Sequence, residues 1–392
     1  MTEPKFSTYW NECHAEVERI VGRIRLPKLE RVQELLEKSV SERLDLSELA
    51  ELIEAGSEPE PFEALRSFVC SRYRGPLGNR LRYIAPIYLS SYCVDACGYC
   101  NFSGARENPA RTRLSVEGLE DELAAVLATG ARAIELVLAT DPELPWPVLA
   151  RYVARTAALL KKETGSGVLL GSEHLPAEAY VALREAGLWG MIQWDETLDR
   201  AAYSRWHASS PRKRHFEARV DNHGRAMAAG LEVATGALFG LADFRQETLM
   251  QIAKARFLEA EYGRTPFVFG TARLQPIGGR ALHPATEVDD RAYETALMVY
   301  KIAEPAIGRW LQTRETFDLN LRNMLDGDAF TYRCGEVRPG GYRDSDGAAS
   351  GGQFDVHEMS RETVERELAR LGFQVGYKWI GRVRGESLCR QV

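Results

Sequence analysis

Three cysteines within eight residues are the feature of this sequence best suited to chemistry. Cys93, Cys97 and Cys100 follow one another at spacings of four and three. A loop with these spacings can wrap three thiolates round an iron–sulfur cube and leave the fourth iron without a protein ligand. An iron with an open coordination position can bind and activate a small molecule.

A structural zinc site and three unrelated thiols are the alternatives to such a cluster. Structural zinc takes four Cys or His ligands, and no histidine lies between His14 and His174. The chain has seven cysteines, an odd number that does not suggest a disulfide framework. Clustered thiols fit a reducing compartment. We therefore favour the iron–sulfur cluster and expect a cytoplasmic protein.

The elements that would position this loop form a regular alternation. Residues 1 to about 80 have the apolar spacing of amphipathic helices. Eight short apolar runs follow, and longer amphipathic segments separate them. The strand candidates are 84–89, 133–138, 168–171, 190–194, 233–239, 267–270, 309–312 and 329–331; the helix candidates are 116–129, 146–163, 176–187, 214–229, 245–262 and 289–303.

Eight strand–helix alternations predict an α/β fold of the (β/α)8 TIM-barrel type. We predict a helical extension at 1–80, the barrel at 81–343, and a loop and helix at 344–392 that close the barrel. Active sites of such barrels lie at the carboxyl ends of the strands. The cysteine loop directly follows the first strand candidate, so the motif and the predicted fold agree.

The charge and hydropathy of the chain exclude some partners. A net charge of -6 gives no indication of a nucleic-acid partner, and we interpret the Arg-Lys-Arg run at 212–214 as a solvated loop. The N-terminus has no apolar core of signal-peptide length, and no apolar run is long enough to span a membrane. We expect no nucleic acid and no membrane among the partners.

The cysteine motif, with Tyr99 before its last cysteine, resembles the signature of the radical S-adenosylmethionine (SAM) enzymes. The flanking segments 86–90 (Pro-Ile-Tyr-Leu-Ser) and 100–104 (Cys-Asn-Phe-Ser-Gly) are similar to the aromatic amino acid lyase branch, in particular to its tyrosine lyases of thiamine biosynthesis. A Pro-Gly-Gly-Tyr segment at 339–342 and Gln353-Phe354 continue the resemblance, which covers about residues 80 to 380. It implies a [4Fe–4S] cluster and SAM as cofactors.

The resemblance also implies roles for the residues of the cysteine loop. Cys93, Cys97 and Cys100 would be the cluster ligands. Tyr99 would lie against the adenine of SAM, with a packing role on the loop as the alternative. Phe102 would shield the cluster and lie close to the nucleoside.

Three further positions are implied for SAM. The family's second strand ends in Gly-Glu, which holds the ammonium group; this chain departs from that pattern, so either Asp141 or Glu143 would serve. Glu196 would make a polar contact with SAM, at its ribose, unless its carboxylate only caps the next helix. Arg273 would hold the SAM carboxylate, with a structural salt bridge as the alternative.

The substrate residues implied by the resemblance are Tyr88, Arg314 and Thr331. Arg314, in Thr-Arg-Glu at 313–315, would hold the carboxylate of the amino acid, because a guanidinium grips a carboxylate with two parallel hydrogen bonds. Thr331 would face the same carboxylate, and Tyr88 would lie near the substrate. The sequence offers no role for Cys334, and Cys389 alone argues against the second, C-terminal cluster of the hydrogenase-maturation lyase.

The implied activity is that of a radical SAM carbon–carbon lyase. It would cleave the Cα–Cβ bond of tyrosine with a 5'-deoxyadenosyl radical and give 2-iminoacetate (dehydroglycine) and p-cresol for thiazole and thiamine biosynthesis. The implied partners are the aromatic amino acid, a reductant such as flavodoxin or ferredoxin, and a thiazole synthase. A same-family lyase acting on tryptophan or another aromatic amino acid is the alternative, and an iron–sulfur carrier or sensor is the non-enzymatic one.

Overall fold

Eight parallel strands form a closed barrel in the computed structural model, which describes residues 5–75, 79–107, 111–160, 166–277, 279–331, 337–343, 352–357 and 359–377. The strands are β1 Arg80–Ser90, β2 Ala133–Leu138, β3 Gly167–Gly171, β4 Leu188–Ile192, β5 Glu232–Phe239, β6 Val268–Arg273, β7 Gly308–Leu311 and β8 Ala329–Phe330. β8 pairs with β1, with Tyr83 opposite Phe330, and this pairing closes the barrel. Each predicted run overlaps a strand, so the predicted (β/α)8 fold is confirmed.

A short ninth strand, β9 Gln374–Gly376, was not predicted. It pairs in parallel with the start of β1, with Arg80 opposite Gln374. Three residues of mixed polarity carry no periodic signal, which is why the sequence gave no indication of this strand.

Most of the barrel helices lie where the sequence predicts them. These are α5 Val116–Ala128, α6 Trp146–Leu159, α7 Ala177–Glu185, α11 Phe244–Tyr262 and α12 Asp290–Ala303. The predicted helix 214–229 is instead two helices, α9 Phe216–Val220 and α10 Asn222–Ala228, which meet at Asp221. The Asp221 carboxylate accepts hydrogen bonds from the backbone and hydroxyl of Ser7 at 2.8 and 2.7 Å, so a contact with the N-terminal extension marks the break. α8 Arg200–His207 and α13 Phe317–Asn323 were not predicted.

The N-terminal extension consists of four helices that pack on the outside of the barrel. They are α1 Phe6–Arg23, α2 Leu29–Lys38, α3 Leu46–Ala55 and α4 Pro59–Tyr73. Phe6 packs edge-on against Phe257 of α11, with ring centres 5.5 Å apart. Gly56 lies so close to Thr295 of α12 that an added Cβ would overlap it, at 2.2 Å from the hydroxyl oxygen. The extension therefore covers α11 and α12 and lies outside the barrel interior.

Small residues open the upper half of the barrel interior. An added Cβ at Gly270 would lie 2.0 Å from the ring of Trp194, and one at Gly171 would lie 2.5 Å from a carboxyl oxygen of Glu135. The two glycines therefore make room for larger side chains from neighbouring strands. Below them, Ile84, Ala133 and Leu169 belong to an apolar cluster inside the barrel.

The C-terminal region crosses the mouth of the barrel before its last helix. The backbone N–H of His357 donates to the carbonyl of Thr313 at 2.8 Å, and that of Asn101 donates to the carbonyl of Gln353 at 3.0 Å. α14 Arg361–Arg370 follows, and its start is capped by the Ser360 hydroxyl, which accepts from the Thr363 N–H at 3.2 Å. Within the described ranges, none of the helices has the length and apolar character needed to cross a membrane.

Candidate active site

The cysteine loop leaves the carboxyl end of β1 and is held there by Asp95. The buried Asp95 carboxylate accepts from the Thr140 hydroxyl at 2.6 Å and from the backbone N–H groups of Arg212 and Lys213 at 2.9 and 3.1 Å. These bonds tie the loop to the end of β2 and to the segment after α8. Sequence reasoning missed Asp95, because its partners lie 45 to 118 residues away in the chain.

Cys93, Cys97 and Cys100 all line one cavity at the carboxyl ends of the strands. All three are free thiols. Burial raises the pKa of Cys97 to about 12 and also raises the pKa of Cys93. Bare thiolates are therefore unfavourable here, whereas ligation to a metal ionises a thiol outright.

The three thiols fit an iron–sulfur cluster. The Gln353 amide nitrogen lies 3.8 Å from the Cys100 sulfur, and the Ser210 hydroxyl lies 3.9 Å from the Cys97 sulfur, so both sulfurs have polar neighbours of the kind that tune such clusters. No group of His, Cys, Asp or Glu side chains in the described part of the chain is arranged to hold a single metal ion.

Tyr99 and Phe102 line the same cavity as the cysteines. The Tyr99 hydroxyl and the His207 imidazole nitrogen Nε2 are hydrogen-bonded at 2.7 Å, which fixes the tyrosine ring. Phe102 packs edge-on against Tyr88, with ring centres 6.0 Å apart. The structure thus brings together the two aromatic side chains predicted to lie near the nucleoside of SAM.

A chain of buried charges lies along one side of the cavity. A carboxylate oxygen of Glu196 accepts from Lys213 at 2.9 Å and from Arg219 at 3.2 Å, and Arg219 also donates to both oxygens of Glu173 at 2.8 and 2.7 Å. Burial raises the pKa of Glu196, but Lys213 and Arg219 outweigh it and hold that pKa below its usual value. The backbone of Glu196 has a φ of 67°, in the left-handed region that a glutamate rarely adopts.

The position of Lys213 shows that the interpretation of the 212–214 run as a solvated loop was wrong for this residue. The 212–214 run is not a solvated loop throughout, because Lys213 turns inward, pairs with Glu196 and lines the cavity. Glu173 and Arg219 also line the cavity and were not singled out from the sequence. These charges stand at unrelated spacings, and only the barrel brings them together.

Arg314 follows β7 and is a buried cation with an unused donor. The residue is 9% exposed, and its Nη1 atom is buried without a hydrogen-bond partner among the described residues. Its guanidinium carbon lies 3.8 Å from the centre of the Phe354 ring. Burial lowers the pKa of Arg314, with Glu196 acting in the opposite direction.

The other two predicted substrate residues line the same cavity as Arg314. The Tyr88 hydroxyl donates to the Gln353 side-chain oxygen at 3.1 Å. The Thr331 hydroxyl donates to the carbonyl of Ile84 at 3.2 Å and accepts from the Trp310 indole at 3.0 Å. Tyr88, Arg314 and Thr331 are therefore brought to one site from three different parts of the chain.

Three residues that were predicted to contact SAM do not line this cavity: Arg273, Asp141 and Glu143. Arg273 pairs with Glu315 at 2.5 Å and with Asp290 at 2.9 Å. Asp141 and Glu143 both pair with Arg113, at 2.6 and 2.7 Å. Their assignment to SAM stays a prediction, and Cys334 and Cys389 lie outside the described residues.

Comparison with known proteins places this site in context. No family model matches the chain. The chain is similar to the 2-iminoacetate synthase of Salmonella typhimurium, 27% identical over 323 residues that make up 79% of this chain and 81% of that protein. It is similar to the 2-iminoacetate synthase of Escherichia coli, 28% identical over 315 residues, 78% of this chain and 79% of that protein.

Among solved structures, the FeFe-hydrogenase maturase HydG from Carboxydothermus hydrogenoformans superposes with a TM-score of 0.81 at 25% identity, over 94% of this chain and 85% of that one. The barrel, the cysteine loop and these relatives define an enzyme of the radical SAM class, with a [4Fe–4S] cluster and SAM as its cofactors. Within that class the chain is similar to 2-iminoacetate synthase, which confirms the resemblance carried by the cysteine loop and its flanks.

Proposed function

We propose that this enzyme cleaves the Cα–Cβ bond of tyrosine and releases 2-iminoacetate and p-cresol. The observation that carries the proposal is the buried guanidinium of Arg314, which has an unpartnered Nη1 atom in the cavity that the three cysteines line. The two similar enzymes are 2-iminoacetate synthases, and the product in that name supports the proposal. 2-Iminoacetate is the imine that remains of an α-amino acid after the side chain has been cleaved off, and it keeps the carboxylate and the nitrogen.

Arg314 would hold the carboxylate of the entering amino acid. A buried guanidinium without a carboxylate partner is unfavourable, and a substrate carboxylate would remove that penalty through two parallel hydrogen bonds. Phe354 supports the guanidinium from one side. Tyr88 and Thr331 would complete the amino-acid site, since both line the same cavity.

Cys93, Cys97 and Cys100 would hold the [4Fe–4S] cluster, and Tyr99, Phe102 and Glu196 would contact SAM. Bound there, the cluster and SAM supply a 5'-deoxyadenosyl radical. The protein's part is to hold the amino acid at a fixed place beside the nucleoside and to exclude water. Gln353 and Phe354 serve both purposes, because they contact Cys100 and Arg314 across the mouth of the cavity.

The partners we propose are a reductant such as flavodoxin or ferredoxin and a thiazole synthase that takes up 2-iminoacetate. An iminoacetate hydrolyses to glyoxylate in water, so direct delivery to a consuming enzyme would protect it.

The test is an anaerobic reaction of the reconstituted enzyme with SAM, dithionite and each aromatic amino acid in turn. We expect p-cresol and glyoxylate from tyrosine, in step with 5'-deoxyadenosine. Formation of a 3-methylindole-type product from tryptophan, with no p-cresol from tyrosine, would contradict the choice of substrate. Absence of 5'-deoxyadenosine with every amino acid would favour an iron–sulfur carrier or sensor.

A further inference from the structure

Glu135 on β2 points its carboxyl group into the barrel. Ala133 and Val137, two residues before and after it, are on the same face of the strand. Ala133 belongs to the interior apolar cluster, and Val137 lines the cavity. One of its carboxyl oxygens lies above Gly171 of β3, where an added Cβ would be only 2.5 Å away. Glu135 itself lines the cavity that holds the three cysteines and Arg314.

This carboxyl group has no partner in the part of the chain that the structure describes. Glu135 is 8% exposed, and no hydrogen bond or ion pair joins its side chain to another described residue. Burial is the one cause acting on its pKa, which it raises to about 8. Near neutral pH the group is therefore an uncharged carboxylic acid that both donates and accepts. A polar group buried without a partner is costly, and a bound ligand that pairs with it removes the cost.

Part of the wall of the cavity that Glu135 lines is apolar and aromatic. Ile192, Trp194 and Trp310 line the same cavity, and the two indole rings meet edge-on with centres 5.6 Å apart. An aromatic wall together with a carboxyl group that no described side chain engages suits a flat ring that carries one polar substituent.

Glu135 lies deeper in the barrel than Tyr88 and Arg314. Tyr88 is paired in register with Val137, and Glu135 is paired with Pro86, two residues further from the carboxyl ends of the strands. Arg314 comes after the end of β7 and so lies at the mouth. An amino acid held at Arg314 would therefore extend its side chain toward Glu135.

We propose that Glu135 is a specificity-determining residue that hydrogen-bonds the phenol hydroxyl of the substrate tyrosine. This inference rests on the proposed function, since it assumes that an aromatic amino acid enters with its carboxylate at Arg314. It assigns a role to a residue that neither the cysteine motif nor the family resemblance singled out.

The test compares the binding of tyrosine and phenylalanine to the reconstituted, SAM-loaded enzyme by anaerobic calorimetry. A site built to hydrogen-bond a hydroxyl discriminates strongly against the analogue that lacks it, so the parent should prefer tyrosine by roughly a hundredfold or more. In Glu135→Leu, tyrosine should bind about 10- to 100-fold more weakly while phenylalanine binds as well as before or better. Glu135→Gln, which keeps a donor and an acceptor, should retain most of the preference.

The outcomes separate this inference from the proposed function. A Glu135→Leu enzyme that keeps the parent's preference for tyrosine, or that loses both ligands equally, overturns the role of Glu135 and leaves tyrosine cleavage intact. A parent that binds and cleaves no tyrosine overturns the proposed function itself. Cluster absorbance at the parent's level in both variants would show that their folding is unimpaired.

Discussion

The guanidinium of Arg314 lies over the ring of Phe354, with its central carbon 3.8 Å from the ring centre. The pair joins the end of β7 to the segment 352–357, forty residues further along the chain. Gln353, next to Phe354, bonds Tyr88 at 3.1 Å, so the same segment also reaches the first strand. The C-terminal segment is therefore part of the wall of the site.

Phe354→Ala should weaken the binding of tyrosine. A cation over an aromatic ring is stabilised by about 0.5–2 kcal/mol, so the Kd for tyrosine should rise about 2- to 30-fold. Tyr377→Ala removes a comparable ring from beneath Arg361, with its guanidinium 4.9 Å from the ring centre and outside the cavity. The control should bind tyrosine as the parent does, and equal affinities in both variants would show that Phe354 does not support Arg314.

Cys97→Ala should abolish cluster assembly and the formation of 5'-deoxyadenosine while leaving the barrel folded. The matched control is Cys13→Ala, because Cys13 is an equally buried thiol of α1 whose sulfur lies 3.7 Å from that of Met250. The control should retain the iron content and visible absorbance of the parent. Parent-level 5'-deoxyadenosine from the anaerobically reconstituted Cys97→Ala protein would contradict the cluster assignment.

Lys213→Ala should lower the free energy of unfolding by about 2–3 kcal/mol, because it leaves the buried Glu196 with one cationic partner instead of two. Arg214→Ala, one residue further along, removes an exposed cation and should change that free energy by less than about 0.5 kcal/mol. Anaerobic urea titrations of the two variants give the comparison. Similar small effects would mean that the inward position of Lys213 adds no stability.

More of the fold than of the site could be predicted from the sequence. Every barrel strand corresponds to an apolar run, because parallel strands covered on both faces leave a continuous apolar pattern in the sequence. The break at Asp221 could not be predicted, since it depends on a contact with Ser7 more than two hundred residues away.

In the site, too, local features could be predicted from the sequence and contacts between distant residues could not. The cysteine motif is local, and its three thiols line one cavity. The pairing of Lys213 and Arg219 with Glu196 depends on the closure of the barrel, and so no local pattern predicts it. For Arg273 the sequence left two roles open, a contact with SAM and a structural salt bridge; the folded chain gives it Glu315 as a partner, and its assignment to SAM stays a prediction.

The free energy of unfolding of the enzyme should decrease as the pH rises, because of Glu135. Its pKa is raised from 4.5 to about 8, so the folded state keeps a proton that the unfolded chain releases, and stability is lost as the pH rises between these values. Each unit of pKa shift corresponds to about 1.4 kcal/mol. Glu135→Gln should therefore match the parent below about pH 4 and exceed its stability by a few kcal/mol above pH 8. A difference between the two proteins that stays constant with pH would contradict the buried, uncharged state of Glu135.

The central claim, that an amino acid is held by its carboxylate at Arg314 for cleavage, is tested most directly by Arg314→Lys. A lysine keeps the charge but not the planar pair of donors, and the loss of such a pair costs on the order of 3 kcal/mol, roughly a hundredfold in tyrosine affinity. The measurement is the ratio of 5'-deoxyadenosine to glyoxylate, at a tyrosine concentration that saturates the parent. We predict that the ratio rises in the variant, because a misplaced substrate is out of reach of the radical while SAM cleavage continues. An unchanged ratio together with unchanged tyrosine affinity would contradict the account.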